Sequence, residues 1–302
     1  MPLPSKNSGR AAVVTGAGSG LGRDIALGLA AKGYIVFGTA SSAAEVQDLT
    51  DASGERVSLT VCDITKERAV RAWAASVSDA LGSAGVNLLI SNAGILTPGP
   101  LEIVPLDAVR HEFEVNVFGA LSVINAFLPA LRKARGRIVQ ISTWTASLPL
   151  PFNGPSGASK AAMEVFATVY RAELKSFGID VVVAAAGNMR TGGPAKTAAA
   201  LAHMAERMTA QERDLYGRAF DTFVEKLNSM QGSGLASVDA AARVIEVAER
   251  NPAPRFAAVG RDAEEILRAV REQSDAEQDA LRLQIVGLKE TSFSTPSKRR
   301  ES

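Results

Sequence analysis

Two side chains that could share a proton stand close together near the middle of the chain. Ser156 lies four residues before Lys160, so a helix would place the hydroxyl and the ammonium on one face. An ammonium beside a hydroxyl favours its anion and lowers its pKa, which suits proton transfer with a substrate oxygen. An apolar run, residues 138–141, precedes this stretch and predicts a buried strand. A strand end followed by a helix is where open α/β sheets place their chemistry.

A glycine-rich loop near the start of the chain could hold a phosphate. Residues 15–22 follow the first apolar run and open the first helical pattern. The glycines permit a tight turn and a close approach of a pyrophosphate, and the helix start offers free N–H groups. A purely structural turn is the alternative, but the strand before and the helix after favour a binding loop. The predicted contacts are Gly16, Gly18, Ser19, Gly20, Leu21 and Gly22.

Short apolar runs alternate with longer helical patterns from residue 10 onward, and this alternation predicts the architecture. Strands rich in Val, Ile and Leu that are joined by helices indicate a doubly wound parallel sheet, the Rossmann arrangement, covered on both faces. The predicted strands are 11–15, 35–39, 57–62, 86–91, 137–142, 180–185 and 255–259. The predicted helices are 21–32, 43–52, 66–81, 106–132, 153–177 and 238–250.

The same pattern predicts one α/β domain over residues 10–290. A helical insertion at about 192–234 follows the sixth strand, where it could be a substrate lid or a helical pair that covers core. Residues 262–288 predict an amphipathic helix or helix pair. The polar ends, 1–9 and 291–302, are predicted to be disordered.

Composition narrows the class of partner. A formal net charge of +1 provides no electrostatic basis for binding nucleic acid or an anionic membrane. The single cysteine, Cys62, excludes an internal disulfide, and no run is expected to be long and apolar enough for a membrane span. Residues 1–10 lack the apolar core of a secretion signal. We therefore expect a cytoplasmic protein without a metal site.

Taken together, the motifs resemble the short-chain dehydrogenase/reductase family. The resemblance covers residues 10–190 well and the rest loosely, and it implies a nicotinamide-dependent oxidoreductase. It rests on TGAGSGLG at 15–22, SNAG at 91–94, Asn116, Lys160 and AGNMRT at 186–191. Further cofactor contacts that the resemblance implies are Asp63, Ile64, Asn92, Ala93, Gly94, Lys160 and Thr191. Capping of the next helix is an alternative role for Asp63.

The resemblance also implies an atypical catalytic site. Asn116 matches the asparagine that kinks its helix and holds a water near the lysine, and Thr143 replaces the family's serine. Ser156 stands where the family has its proton-donating tyrosine, yet an alcohol is a far weaker acid than a phenol and reaches less far. A bridging water relayed to Lys160 could fill the gap. Tyr216, in the insertion, is the other phenol that could swing in, whereas Tyr170 reads as structural.

Cofactor choice is usually set at the end of the second strand. Residues 39–42 include neither an acid nor an arginine. The hydroxyl of Ser41 could donate to a 2′-phosphate and Arg23 could add charge, so NADP(H) is the preferred prediction over NAD(H).

Three functions remain open. Residues 38–39, 151–155 and 259–262 resemble the family branch that acts on retinoids, steroids and other lipophilic alcohols or ketones. The alternatives are a nucleotide-binding pseudoenzyme and a non-redox cyclase, isomerase or lyase on the same scaffold. Family members commonly pair through helices equivalent to 106–132 and 153–177, and the small residues Ala158, Ala161, Ala162 and Ala167 suit close packing, so a homodimer or homotetramer is expected.

Overall fold

A seven-stranded, all-parallel sheet forms the centre of the structure, a computed structural model that describes residues 9–54, 56–190, 193–289 and 292. Thr191 and most of the two predicted disordered ends lie outside these ranges. In chain order the strands are β1 Ala11–Val14, β2 Ile35–Ala40, β3 Val57–Val61, β4 Leu88–Ser91, β5 Arg137–Thr143, β6 Asp180–Ala186, β7 Met189–Arg190, β8 Leu235–Ala236 and β9 Phe256–Val259.

The strand order confirms the predicted doubly wound fold. The large sheet runs β3-β2-β1-β4-β5-β6-β9, and β7 pairs with β8 in a separate two-stranded ladder. The order reverses between β1 and β4, which opens a crevice beyond their carboxyl ends. Such a crevice is where doubly wound sheets bind ligands.

Helices cover both faces of the sheet. They are α1 Gly20–Ala31, α2 Ala43–Ser53, α3 Glu67–Leu81, α4 Leu106–Phe113, α5 Ala120–Ala134, α6 Gly154–Leu174, α7 Gly193–Arg207, α8 Ala210–Glu212, α9 Arg218–Gly232, α10 Ser237–Glu249, α11 Arg261–Glu272 and α12 Asp275–Ile285. Side chains of α1 and α10 pack on one face, and those of α3, α5 and α6 pack on the other. Buried Val, Ile and Leu on both sides explain why the strands have continuous apolar sequences.

The predicted helix 106–132 is interrupted. Residues Glu114–Gly119 form a π-helical turn between α4 and α5, and this turn contains the buried Asn116. A π turn adds a residue to one helical turn, so the periodicity of the sequence alone does not reveal it. Among the described residues, the segment Leu106–Ala134 is long and apolar enough to cross a membrane by length and composition, which corrects the expectation that no run would be. Half of the most apolar part of this segment is buried within the protein, as in an ordinary core helix.

A third apolar cluster joins the inserted helices to the sheet. Phe152 precedes α6 and makes edge-to-face contacts with Phe220 and Phe223 of α9, with both pairs of ring centroids 5.4 Å apart. Phe152 also has a φ of 61°, a left-handed conformation that is uncommon for a bulky residue. The predicted segment 262–288 is a helix pair, with Ser274 and Glu277 forming a capping box between α11 and α12.

Candidate active site

A cavity of about 600 Å³ opens beyond the carboxyl ends of β4, β5 and β6. It reaches from Leu21 at the glycine loop to Lys160 on α6, and α9 contributes part of its wall. Apolar residues dominate its lining, among them Leu96, Trp144, Leu150, Met189, Phe223, Leu227 and Met230. An apolar cavity with a few polar groups is typical of a small-molecule site.

The glycine loop is fixed by bonds to neighbouring strand ends. Asn92 donates from Nδ2 to the carbonyl of Thr15 at 2.9 Å, so it braces β4 against β1. The hydroxyl oxygen of Thr15 accepts from the N–H groups of Asn92 and Ala93 at 2.9 and 3.0 Å. Gly16 donates its N–H to the hydroxyl of Thr39 at 2.9 Å. These bonds hold the loop open at the switch point of the sheet.

The start of α1 is suited to a phosphate. Ser19 occupies the N-cap position without a side-chain bond to the helix, and the first turn contains no acid. The free N–H groups there can therefore bind an anion. Gly22 packs so closely that a Cβ on it would lie 2.2 Å from the carbonyl oxygen of Gly16. Only glycine allows this approach of helix to loop.

The two residues beyond β2 and in α1 that were expected to favour a 2′-phosphate, Ser41 and Arg23, have acidic partners in the structure. The backbone N–H and the hydroxyl of Ser41 both donate to Glu45 at 2.8 Å, and a Cβ on Gly18 would lie 2.3 Å from the same carboxylate oxygen. Arg23 pairs with Asp48 at 2.9 Å. The groups that were predicted to hold a 2′-phosphate are thus bonded to acids. Sequence reasoning missed Glu45, although its position three residues after Ser42, the N-cap of α2, marks a first-turn acid.

Asp63 lies just after β3 and is bonded locally. Its carboxylate accepts from the hydroxyl and the N–H of Thr65 at 2.7 and 2.9 Å, and these bonds lower the pKa of Asp63. The bonds stabilise the turn that leads to α3, but Asp63 does not cap that helix, because its N-cap residue is Lys66. The neighbouring Ile64 is buried in the core beside α3 and α5.

Three of the four predicted catalytic residues line the cavity. Lys160 donates from Nζ to the carbonyl of Ile141 at 3.2 Å, which holds the ammonium behind β5. Thr143 ends β5, and its hydroxyl oxygen lies 3.4 Å from the N–H of Thr145. Ser156 lies in the first turn of α6 and is 9% exposed. The structure therefore brings Thr143, Ser156 and Lys160 to one cavity wall.

Asn116 stands behind that wall. Its amide oxygen accepts from the N–H of Ile95 at 2.8 Å, and its Nδ2 donates to the carbonyl of Ile95 at 3.0 Å and faces the hydroxyl of Ser159 at 3.0 Å. A Cβ on Gly94 would lie 3.1 Å from Oδ1 of Asn116 and 3.4 Å from Nζ of Lys160. Because Gly94 has no side chain, space remains beside Lys160 for a ribose. The residues present at the glycine loop and at this wall therefore fit a dinucleotide.

Two acids near Lys160 were not anticipated. Glu112 is fully buried and accepts from the N–H of Thr97 at 2.8 Å and from Nδ2 of Asn116 at 3.2 Å. Glu164 accepts from the hydroxyl of Ser142 at 2.5 Å. Burial raises the pKa of both carboxyl groups, although their hydrogen bonds and Lys160 act in the opposite direction. Glu112 lies one helical turn before Asn116, a spacing that could have indicated a shared face.

Asp262, Tyr170 and Tyr216, three further polar residues, have structural partners. Asp262 accepts from the N–H and Nδ2 of Asn188 at 2.7 and 3.0 Å, so it fixes the loop after β6. Tyr170 donates to Asn125 at 2.7 Å and Tyr216 donates to Glu102, and neither phenol lines the cavity. Within the part of the chain that the structure describes, no group of three His, Cys, Asp or Glu side chains is placed to hold a metal ion.

Comparisons with known proteins all identify dehydrogenases of one family as similar to this chain. A family model described as short chain dehydrogenase matches residues 10–202. Estradiol 17-beta-dehydrogenase 2 of Mus musculus is 33% identical over 185 residues, covering 60% of this chain and 49% of the relative. A short-chain dehydrogenase structure from Streptomyces avermitilis is 25% identical with a TM-score of 0.74, covering 91% of this chain and 97% of that one. One from Burkholderia cenocepacia, in complex with NADP, is 26% identical with a TM-score of 0.68, covering 92% and 97%.

The chain spans about half the length of the estradiol dehydrogenases that it matches, 49% in both the mouse and the rat protein. Their substrates and activities are therefore properties of those longer proteins.

Proposed function

Since the chain belongs to the short-chain dehydrogenase family, we propose that it is an oxidoreductase for a lipophilic alcohol or ketone. The observation that carries this proposal is the cavity itself. It joins the glycine loop, which is suited to a pyrophosphate, to Lys160 and an apolar wall. A nicotinamide dinucleotide bound across this space supplies or accepts hydride.

The chain's own residues then have distinct tasks. Gly16 and the start of α1 bind the pyrophosphate, Asn92 braces the crevice, and Lys160 binds the ribose next to the nicotinamide. Thr143 orients the substrate oxygen with its hydroxyl. Apolar side chains of α9 exclude water and contact the lipophilic body of the substrate. Thr191, which we propose to bind the nicotinamide carboxamide, lies outside the described residues.

Ser156 makes the proposed site atypical. It occupies the helix position at which the resemblance implies a tyrosine, four residues before Lys160. Its hydroxyl stops one bond beyond Cβ, so a water between Ser156 and a substrate oxygen would complete the proton path. We therefore expect slower turnover than a phenol would support.

We propose NAD(H) as the preferred cofactor, the reverse of the preference that the sequence suggested. The support is the carboxylate of Glu45, which lies against Gly18 and accepts two bonds from Ser41. A carboxylate at this place can accept from ribose hydroxyls and repels a 2′-phosphate. Arg23, the cation expected to favour a 2′-phosphate, is paired with Asp48, which offsets its charge. A solved relative in complex with NADP shows that the family includes the other choice.

Calorimetric titration with NADH and NADPH tests this half of the proposal. We expect both to bind, with NADH tighter by about tenfold or more, the effect of about 1.4 kcal/mol. Glu45→Gln should narrow that ratio, and Asp51→Gln, an exposed acid at the far end of α2, serves as the control. Tighter binding of NADPH would reverse the cofactor proposal, and absence of binding by both would refute the oxidoreductase.

A nucleotide-binding protein without redox chemistry is the second candidate, and Ser156 favours it. The two candidates differ in turnover. Purified protein that binds dinucleotide but oxidises no alcohol and reduces no ketone, across a broad lipophilic panel, would support the second candidate. Product formed without any change in the dinucleotide would instead favour the non-redox cyclase, isomerase or lyase.

We propose that two copies of the chain pair through α6. Val165, Phe166 and Val169 are exposed apolar residues on this helix, at 65%, 40% and 46%, and Phe118 is exposed nearby in sequence to α5. Ala167, one of the small residues expected on the pairing face, is instead buried in the core. Light scattering should give a dimer or tetramer mass, and Val169→Asp should reduce it; a monomer mass for the unchanged protein would refute pairing.

A further inference from the structure

Only one titratable side chain lines the candidate substrate cavity among the described residues. That side chain is Lys160. The other polar groups at this wall include the alcohols of Thr143, Thr145 and Ser156, which are far weaker acids than a phenol. Protonation of a carbonyl oxygen near neutral pH requires a donor of suitable acidity. The lining therefore narrows the choice of proton source to the ammonium.

Two acids whose charges act on Lys160 do not themselves line the cavity. Glu112 approaches from α4 and Glu164 lies one turn further along α6. Glu112 is held rigidly, with one carboxylate oxygen bonded to the N–H of Thr97 and the other to Asn116. Asn116 and Lys160 both lie against Gly94. The buried carboxylate of Glu112 thus bonds an amide that shares the surface of Gly94 with the ammonium of Lys160.

We propose that Lys160 is the proton donor of this site and that Glu112 is the positioning carboxylate that keeps it protonated. This inference rests on the proposed oxidoreductase function. In the reducing direction, hydride from the reduced nicotinamide forms a C–H bond to the carbonyl carbon, and the π electron pair moves to oxygen. A proton from Nζ of Lys160 forms the O–H bond, directly or through one water, and leaves a neutral amine. A proton from the solvent, relayed by water that enters the cavity, then restores the ammonium.

The electrostatics agree with this assignment. Burial lowers the pKa of Lys160, which makes its ammonium a better acid, while Glu112 and then Glu164 act to raise it. These two carboxylates are the charged groups that act on Lys160 from the elements packed against it. Loss of the charge on Glu112 should therefore lower the pKa of Lys160 further. An acid whose pKa lies closer to the working pH transfers its proton more effectively.

The first test titrates Lys160 directly and needs no substrate. The whole protein is labelled with trace acetic anhydride from about pH 6 to about pH 11, which brackets the ordinary lysine range, and peptides are quantified by mass spectrometry. Exposed Lys66 and Lys226 serve as internal references. We expect Lys160 to gain reactivity at lower pH than they do, and Glu112→Gln to move its titration lower still. Titration alongside the references, no response to Glu112→Gln, or no labelling of Lys160 at any pH would overturn the inference.

The second test follows turnover. The rate of ketone reduction should fall with rising pH in step with the titration of Lys160, and Glu112→Gln should move this fall to lower pH. Lys160→Arg should reduce the rate by about 10²- to 10⁴-fold, because a guanidinium does not release its proton. Glu173→Gln, an exposed acid on the same helix, is the control. Unfolding curves and Glu112→Asp separate a loss of charge from a loss of fold.

The two tests also separate this inference from the function beneath it. Absence of turnover with every ketone and both dinucleotides would refute the proposed function. Turnover with a pH profile that ignores both Lys160 and Glu112 would refute the inference and leave the function standing.

Discussion

The rate of proton transfer at the candidate active site depends on single side chains. Ser156 is the side chain whose substitution tests this most directly. It lines the cavity beside Lys160, where a phenol would have both the reach and the acidity that an alcohol lacks. We expect Ser156→Tyr to raise the rate of ketone reduction by about 10²- to 10⁴-fold, the usual contribution of a positioned general acid. Stopped-flow oxidation of NADH or NADPH would measure it.

Ser156→Phe is the matched control, because it fills the same space without a hydroxyl. Equal rates for the Tyr and Phe variants would show that the ring's volume, rather than its acidity, had changed the site.

Gly22 tests whether the glycine loop is a working cradle. A Cβ there would collide with the backbone of Gly16 and lie 2.5 Å from Nδ2 of Asn92. Gly22→Ala should abolish dinucleotide binding and lower the free energy of unfolding by about 1–3 kcal/mol, since neither neighbour can move aside cheaply. Gly232→Ala, at the open end of α9, should change neither quantity much. Calorimetry and urea unfolding would check both variants, and retained binding in Gly22→Ala would contradict the cradle.

At this scale the sequence predicts some residues far better than others. The glycine loop and Asn92 follow strand ends directly, so contiguous sequence was sufficient to place them. Glu45 and Glu112 were missed because their importance depends on where a side chain points. Glu45 turns towards Ser41 and Gly18, and Glu112 meets Thr97 and Asn116 only after α4 has packed. Composition and spacing contain neither fact.

Secondary-structure elements likewise divide into those that the sequence predicts and those that it misses. All seven strands of the large sheet were predicted within a few residues, because buried parallel strands leave long apolar runs. At Glu114–Gly119 the resemblance implied a helix kink at Asn116 but not a π turn, since a π turn alters helical register without altering composition. The short strands β7 and β8 were also missed, because two residues provide no periodicity to detect.

The inserted helices are fastened to the body of the protein by Tyr216. Its hydroxyl donates to Glu102, in the loop that precedes α4. Tyr216→Phe should raise the rate of protease cleavage within α7 to α9 about 2- to 10-fold, the effect of about 0.5–1.5 kcal/mol lost from the closed form. Limited proteolysis would measure it.

Tyr170→Phe is the control for that experiment, because it loses a phenol bond between α6 and Asn125 of α5, outside the inserted helices. Equal cleavage of Tyr216→Phe and the unchanged protein would show that this bond does not hold the insertion closed.

Across the whole molecule, Glu249 ties four elements together. It accepts from Arg10, Lys32 and Tyr34 at 3.0, 2.9 and 3.1 Å, joining the end of α10 to residues around β1, α1 and β2. Burial alone would raise the pKa of Glu249, but the bonds from Lys32 and Tyr34 and the nearby charges lower it overall. The same site raises the pKa of Tyr34 to about 12, through burial first and then Glu249.

A carboxyl group whose pKa is lower in the folded than in the unfolded state stabilises the fold at pH values above the unfolded-state pKa. This stabilisation is lost as the pH falls through the folded-state pKa. Glu249→Gln should therefore be less stable than the unchanged protein at neutral pH, by about 1 kcal/mol, and the difference should shrink below about pH 4. Urea unfolding across this range measures it. Glu246→Gln, which loses only an exposed pair with Arg250, should change little at any pH. A difference that persists unchanged in acid would rule out the ionic origin.

The pairing of β7 with β8 has a consequence for how such a protein can diversify. Met189 is in register with Leu235, and Arg190 with Ala236, so the chain leaves the body and returns to it at adjacent points. The helices between β7 and β8 could thus be replaced or shortened, because the pairing of these two strands would keep the ends of the insertion at the same separation. New substrate preferences could arise by replacement of one cassette, with the dinucleotide scaffold inherited unchanged.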